Sequence, residues 1–462
     1  MINHFSFKQF DGRMLLTNDM GRYAVLDLDA FASFAREGST RNAELDEKLA
    51  QDGFCYGGST EGYLLRHVHQ LRDAKNYLFH STCLFIFVVT TECNTRCRYC
   101  QADGGGHRSC CMMDEDVARK AVDIAVQSPE RDITFEFQGG EPLIAFPIIR
   151  TIVEYAEEVK GDKQIRYSLV SNLSLLREEH ISFFVDHSFG ISTSLDGPKA
   201  LHDANRPMAA RRSSFDLAVD GIRRIQDSGL SIGAIETTTR RSLGFARDIV
   251  QQYCDLGLKN ICLRPLTPLG SAGVRWNEIG YEPVEFAAFY KEALDAIMEK
   301  NTEGIAIQEG FASTVLEGAL HGHPVNHMEC RSPCGATFGQ MAFSPAGGVF
   351  TCDEARMLHD MGDPAFRLGS VDDTYRNLVS SPVCRATCVS SILESMPACF
   401  ECVYRPYCGS CPVVNYALGG DLQPKSSNGY RCAVNKGMLD AVFGLLVNGN
   451  DKVLEVLRSW RA

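Results

Sequence analysis

Between Leu84 and Pro265 short β-rich runs alternate with longer amphipathic ones, and no other feature constrains the fold so tightly. The β-rich runs are LFIFVV, DITFEF, QIRYSLV, FGISTSL, SIGAIET and NICLRP; the helical patterns between them include EDVARKAVDIAVQ, PIIRTIVEYAEEV, FDLAVDGIRRIQD and GFARDIVQQYCDLG. Such alternation predicts an α/β fold of βαβ units stacked around a parallel sheet. Six repeats predict a partial, TIM-like (β/α)6 barrel rather than a full eightfold one. A further helix, PVEFAAFYKEALDAIMEK, closes the unit.

The chain has 462 residues, more than one hydrophobic core usually serves. Before the barrel, the apolar stretches MLL and YAVL flank the turn-prone TNDMG, and helices follow from Leu28 to a stop at Gly38 and on to about Gly53. This predicts a small α+β unit over residues 1–80. Residues 81–325 form the barrel. Residues 326–440, rich in Cys, Gly and Pro with little periodicity, read as a loop-rich module held by metal, and 441–462 as a terminal helix. The Gly-rich GGGH at 104–107 lacks a following Lys-Ser/Thr and is read as a linker, not a phosphate loop.

A net charge of -12 sets no positive field against a polyanion, so no nucleic-acid partner is expected. The start MINHFSFKQF has no signal-peptide order and LFIFVV is too short to span a bilayer, so a cytoplasmic protein with no membrane partner is expected. Nineteen cysteines in such a chain are better metal ligands than disulfides. Cys55, Cys83, Cys254 and Cys262 are scattered and read as small buried apolar residues.

Three thiols, Cys93, Cys97 and Cys100, sit on one short loop directly after the first barrel strand. A structural zinc site closes with four ligands, whereas three thiolates can hold three irons of a cubane and leave the fourth open for chemistry. With Tyr99 before the last thiol, this loop resembles the cluster loop of radical S-adenosylmethionine enzymes. The resemblance implies a 4Fe-4S cluster whose open iron chelates S-adenosyl-L-methionine and whose electron releases a 5'-deoxyadenosyl radical. Gly139, Gly140, Glu141 and Pro142 at the end of the next strand match the family's GGEP motif, which implies contact with the methionine amine. Ser171, Asn172 and Ser194, at the following strand ends, are implied contacts for the ribose and carboxylate, with helix or turn capping as the ordinary alternative. Arg206, in HDANRP, is a candidate carboxylate clamp or a surface ion pair.

Downstream, Cys334, Gly347 and Cys352 precede CFECVYRPYCGSCP with Cys399, Cys402, Cys408 and Cys411, and Cys432 follows. The spacing resembles the SPASM extension of peptide-modifying radical enzymes; zinc knuckles are the competing reading of its CxxC pairs. The resemblance implies two auxiliary 4Fe-4S clusters, an outer one on Cys399, Cys402, Cys408 and Cys432 and an inner one on Cys334, Cys352 and Cys411. Cys330 is the expected fourth inner ligand, with Cys384 or Cys388 as alternatives. Only two residues separate Cys408 from Cys411 where the family usually has three. Closed clusters can take an electron from a substrate radical, which favours oxidative modification.

FEFQGGEPLI, STSLDGPKALHDANRP, TTTRRSL, LRPLTPLG and DEARMLHDMGDPAFRLG together resemble the His-Xaa-Ser system radical SAM maturases. That resemblance implies an oxidoreductase acting on a ribosomally made precursor peptide, with a one-electron reductant such as a flavodoxin or ferredoxin as second partner. It also implies that residues 1–80 form a winged-helix-like unit that reads the precursor. Two alternatives stand beside it: a sulfatase-maturating, formylglycine-generating enzyme, and a non-catalytic iron-sulfur electron carrier. Asp353, directly after Cys352, is the expected catalytic base by analogy with formylglycine-forming relatives, with ordering of the cluster loop through backbone hydrogen bonds as the ordinary alternative.

Overall fold

A computed structural model describes residues 1–102, 111–209, 212–323, 330–424 and 429–461. Seven parallel strands make the barrel wall: β4 (Leu84–Thr90), β5 (Asp132–Gly139), β6 (Gln164–Val170), β7 (Gly190–Ser194), β8 (Ile232–Thr237), β9 (Asn260–Arg264) and the two-residue β10 (Gln308–Glu309). Three strands precede them, β1 (Ser6–Phe10), β2 (Arg13–Thr17) and β3 (Tyr23–Asp27), in an antiparallel sheet of their own. The six sequence-expected barrel strands are all present, and β10 is added.

The wall forms because its outer face is apolar at every second position. Phe85, Phe87 and Val89 of β4 and Ile133, Phe135 and Phe137 of β5 are buried against the flanking helices Glu115–Val126 and Phe146–Val159. The alternate residues Thr134, Glu136 and Gln138 face the other way, into the barrel, and are only half-buried. Polar side chains therefore line the concave side.

The C-terminal part is not a separate layer. β11 (Gln340–Phe343) pairs parallel with β4, and β12 (Gly348–Phe350) and β13 (Arg367–Ser370) extend the same ten-stranded sheet antiparallel. Ile86 and Val88 of β4 share one apolar cluster with Cys334, Ala336, Phe350 and Cys352. The expected boundary between 325 and 326 lies outside the described residues, as does GGGH at 104–107. The expected boundary after 440 falls inside one helix, Tyr430–Asn448, which packs on Pro283–Thr302 so closely that a Cβ on Gly437 would stand 2.6 Å from that of Ala287. Residues 430–448 are one element because the apolar run from Val434 to Val447 continues a turn back through Cys432.

The N-terminal unit shows the expected β2–β3 hairpin and the helix Leu28–Glu37, stopped at Gly38 in the left-handed region with φ +75°. It is stitched to the C-terminal part: the Thr17 hydroxyl donates to the Val403 carbonyl at 2.6 Å, the Tyr407 hydroxyl to that of Gly21 at 2.8 Å, and Lys8 pairs with Asp440. Among the described residues, no helix is long and apolar enough to cross a membrane.

Candidate active site

β4 ends at Thr90, and the three-thiol loop that follows is clamped from three sides. On the first, Gly140 N–H donates to the Thr90 carbonyl at 2.8 Å and Glu141 N–H to that of Glu92 at 2.7 Å. A Cβ on Gly139 would come within 2.3 Å of the Thr90 oxygen, and one on Gly140 within 2.0 Å of the Glu92 oxygen. The two glycines thus admit the loop's own backbone, because their bare Cα faces are turned to residues 90–92.

On the second side, residues 205–208 run antiparallel to the loop. Arg96 N–H donates to the Pro207 carbonyl and Arg98 N–H to that of Asn205, each at 2.9 Å. On the third side Ser271 N–H donates to the Cys100 carbonyl at 3.0 Å, with Gly270 (φ +57°) so close that a Cβ there would meet the Gln101 and Cys100 carbonyls. HDANRP and LRPLTPLG are therefore the segments that hold the cysteine loop.

Glu141 is fully buried, and its carboxylate accepts from the Ser171 hydroxyl at 2.7 Å, the Asn172 N–H at 2.8 Å and the Leu143 N–H at 3.1 Å. Burial pushes its carboxyl up and these three donors pull it back. Through these bonds Glu141 and Ser171 brace the ends of β5 and β6 against each other. Asn172 donates from Nδ2 to Asn94 of the loop at 3.0 Å and accepts at Oδ1 from Ser174. Asn172, Ser194 and Arg206 do converge: with Thr95, Ser174, His202 and Ser214 they line one small cavity beside the thiols. Pro142 opens the short 3-10 helix Pro142–Ala145 and is itself buried.

Beneath this cavity lies a polar network centred on Asp196, a residue the sequence reading passed over. Its fully buried carboxylate accepts from Tyr99 Oη at 2.9 and 2.7 Å and from Arg206 Nε and Nη2 at 3.1 Å each. Arg206 is thus in a buried ion pair, not a surface one, with its fork largely taken up. A short polar residue in the SLDGP turn, spaced ten residues before an Arg, was the signal available in the sequence. Thr95 places its hydroxyl 3.2 Å from Cys93 Sγ and 3.6 Å from Cys97 Sγ. Burial raises the Cys97 thiol and the Arg206 guanidinium works against that rise.

The C-terminal thiols include two groups whose members act on one another electrostatically. Cys334, Cys352 and Cys411 interact with one another, and burial, with Cys411 adding, pushes Cys334 up to about 12. Cys399, Cys402, Cys408 and Cys432 form the other set, in which burial pushes Cys399 up to about 11 and Cys408 up to about 12. Cys330 is buried next to Tyr290, while Cys384 and Cys388 face each other one turn apart on the helix Pro382–Ser390. Gly347 (φ +78°) makes the tight β11–β12 turn, which explains a glycine before Cys352. Asp353 begins the helix Asp353–Asp360, and its Oδ1 accepts from Arg356 Nε at 3.1 Å and Nη2 at 2.6 Å. Among the described residues no group of three or more His, Cys, Asp or Glu side chains is closed enough to hold a metal ion as it stands.

Residues 87–244, from within β4 to just past β8, match the Radical SAM superfamily. That segment is a radical SAM domain, and the chain is similar to anaerobic sulfatase-maturating enzymes. The cysteine-type anaerobic sulfatase-maturating enzyme of Clostridium novyi (strain NT) is 22% identical over 343 residues, covering 71% of this chain and 87% of that protein. Two solved structures share the fold. Native anSMEcpe with bound AdoMet has a TM-score of 0.67 at 20% identity, over 79% of this chain and 98% of its own. Streptococcus suis SuiB bound to precursor peptide SuiA has a TM-score of 0.55 at 12% identity, over 92% of this chain and 98% of its own.

Proposed function

We propose that this chain is a radical S-adenosylmethionine maturase that oxidatively modifies a ribosomally made precursor peptide, of the His-Xaa-Ser system type. The observation that carries this reading is the thiol loop clamped by strand ends, with Thr95, Asn172, Ser194 and Arg206 lining a cavity beside it. The residues present fit the cofactors. Three thiols on a fixed loop, with the Thr95 hydroxyl between Cys93 and Cys97 and the Arg206 guanidinium also at Cys97, suit an anionic cluster. Cys93, Cys97 and Cys100 would hold the 4Fe-4S cluster, and Thr95, Asn172, Ser174 and Ser194 of the cavity the S-adenosyl-L-methionine. When bound, the pair supplies a carbon radical that takes a hydrogen atom from the peptide.

The chain's own groups do the rest. Glu141 and Ser171 keep the ends of β5 and β6 in register beside the loop. Cys399, Cys402, Cys408 and Cys432 would hold one auxiliary cluster, and Cys334, Cys352, Cys411 and Cys330 the other. Asp353, adjacent to Cys352, would accept the proton that leaves the substrate. The likeness to SuiB over 92% of the chain supports giving residues 1–80 a part in precursor recognition, with the outer edge of β1 as the docking strand. A flavodoxin or ferredoxin would be the electron donor, and the setting cytoplasmic.

A second reading, formylglycine formation from Cys or Ser, is favoured by the similarity to the Clostridium novyi enzyme over 71% of the chain. Both predict roughly twelve irons per chain after anaerobic reconstitution. Both also predict that Cys100→Ala abolishes deoxyadenosine formation. Tandem mass spectrometry of neighbouring-gene peptides and sulfatase peptides separates them: a crosslink without an aldehyde supports the first, a hydrazide-reactive aldehyde the second. Zinc at stoichiometric levels with no deoxyadenosine would refute both.

A further inference from the structure

We infer that Arg206 is a positioning residue that sets the reduction potential of the cluster held by Cys93, Cys97 and Cys100; this rests on the reading above that these thiolates hold iron. Arg206 is only 8% exposed and reaches the loop with unusual constraint on its position. Asp196 takes Nε and Nη2 from below, and the Tyr99 ring lies 5.1 Å from the guanidinium carbon. The remaining arm, Nη1, points to Cys97 Sγ at 3.8 Å, within reach of an N–H···S contact.

The backbone keeps that contact in place. The N–H groups flanking Cys97, those of Arg96 and Arg98, bind the carbonyls flanking Arg206, those of Pro207 and Asn205. Cys97 and Arg206 therefore sit opposite each other in a two-strand register, and neither can shift without breaking both bonds. Arg206 closes the network from its other end as well, since its carbonyl accepts from the Ser214 hydroxyl at 2.7 Å.

The consequence is electrostatic. One-electron reduction adds a negative charge to the cluster and its thiolates, so a donor aimed at a ligating sulfur in a dry site favours the reduced state. The electron comes from a chemical reductant such as dithionite through mediators; no bond forms or breaks at Arg206 and no proton moves. A clamp for the S-adenosylmethionine carboxylate, the sequence reading of Arg206, would instead change cosubstrate affinity and leave the potential alone.

The experiment is a potentiometric titration without S-adenosylmethionine, followed by electron paramagnetic resonance. The relevant signal is identified beforehand as the one that changes when S-adenosylmethionine is added. Two variants are compared with wild type. Arg206→Lys keeps a buried cation for Asp196 but cannot reach both partners. Asp196→Asn with Arg206→Gln removes both charges, so neither is left buried alone. For both, the reduced fraction at a fixed potential should fall about tenfold, which is ~59 mV for one electron, at wild-type iron content. An unmoved midpoint in iron-loaded variants overturns the inference, and weaker S-adenosylmethionine binding alongside it returns Arg206 to a clamp. Loss of iron from both variants also counts against it, since Arg206 would then be holding the loop. A wild type that shows no S-adenosylmethionine-sensitive signal would remove the underlying reading first.

Discussion

At Asp353 the structure adds a constraint the sequence did not show. Arg356, 1% exposed, is shared between Asp353 and Asp360, its Nη1 donating to Asp360 at 2.7 Å. Both described bonds to Asp353 land on Oδ1, so Oδ2 is the atom left to take a proton. Glu136 of β5 projects into the barrel, and burial, with a smaller push from the Asp353 charge, raises its carboxyl. Asp353→Asn keeps an oxygen for Arg356 and should retain iron and deoxyadenosine formation while product falls roughly a hundredfold, the usual cost of a lost base. Quantifying peptide product against deoxyadenosine checks it; undiminished product would assign Asp353 to holding Arg356 alone. Two buried histidines make a second prediction at this scale. Burial lowers His202 to about 4 and His180 to about 4. In the unfolded chain both take a proton near 6.5, so their neutral burial favours folding fully above that pH. The contribution is lost progressively as pH falls toward 4, at ~1.4 kcal/mol per pH unit for each. Melting curves from pH 7 to 4.5 should show the loss, and His202→Gln should flatten part of the slope.

Among elements, the end of β5 decides whether the cysteine loop is held. A methyl on Gly140 would stand 2.0 Å from the Glu92 oxygen, a backbone atom that cannot swing aside. Gly140→Ala should therefore displace residues 90–93, costing roughly 3 kcal/mol or more and losing the loop's iron while the C-terminal iron stays. Iron per chain and a melting curve read both effects, and a fully loaded, wild-type-stable variant would contradict the geometry. The same region shows what was legible. β4 and β5 could be read because their outer faces carry Phe, Ile and Val at alternate positions, and β6 to β9 because short β-rich runs recur between helical patterns. β1 was missed because its pattern is inverted: Ser6 is buried and Phe7 is 55% exposed. β11 and β12 are short and buried on both faces, so they carry no alternation. The helix Glu178–Asp186 was missed although Ile181, Phe183 and Phe184 form its buried face, because nine residues give barely two periods. Asp196 and Arg206 needed three dimensions, since nothing in a turn motif says which buried charge it will meet.

For the whole molecule, the N-terminal unit is part of the structure's support and not an appendage. Leu15 of β2 is fully buried in the main core, and Tyr23 packs edge-on against Phe443 at 6.3 Å, beside Tyr404 and Tyr407. Arg13 donates to the Val447 carbonyl at 2.8 Å, and Arg405 pairs with Asp19. Tyr404 and Tyr407 stand in sequence between Cys402 and Cys408, so the strands that cover them also support the segment proposed to hold one auxiliary cluster. Deleting residues 1–80 would uncover these aromatic side chains, each worth ~1.5–3 kcal/mol when buried. The truncated chain should melt well below wild type and load roughly eight irons instead of about twelve, the outer C-terminal set being lost. Precursor binding by that truncation would therefore report stability as much as recognition. A point change on the free edge separates the two: Phe7 lies on β1, which among the described residues pairs only with β2, and its ring is 55% exposed, its inner side resting on Phe31 at 5.0 Å. Phe7→Asp loses the ring contact with Phe31, so melting should fall slightly, far less than in the truncation, while iron stays unchanged and precursor affinity weakens about tenfold if a peptide strand adds there. Titration of a labelled precursor into the holoenzyme measures it, and equal affinity in wild type and variant would place the precursor elsewhere.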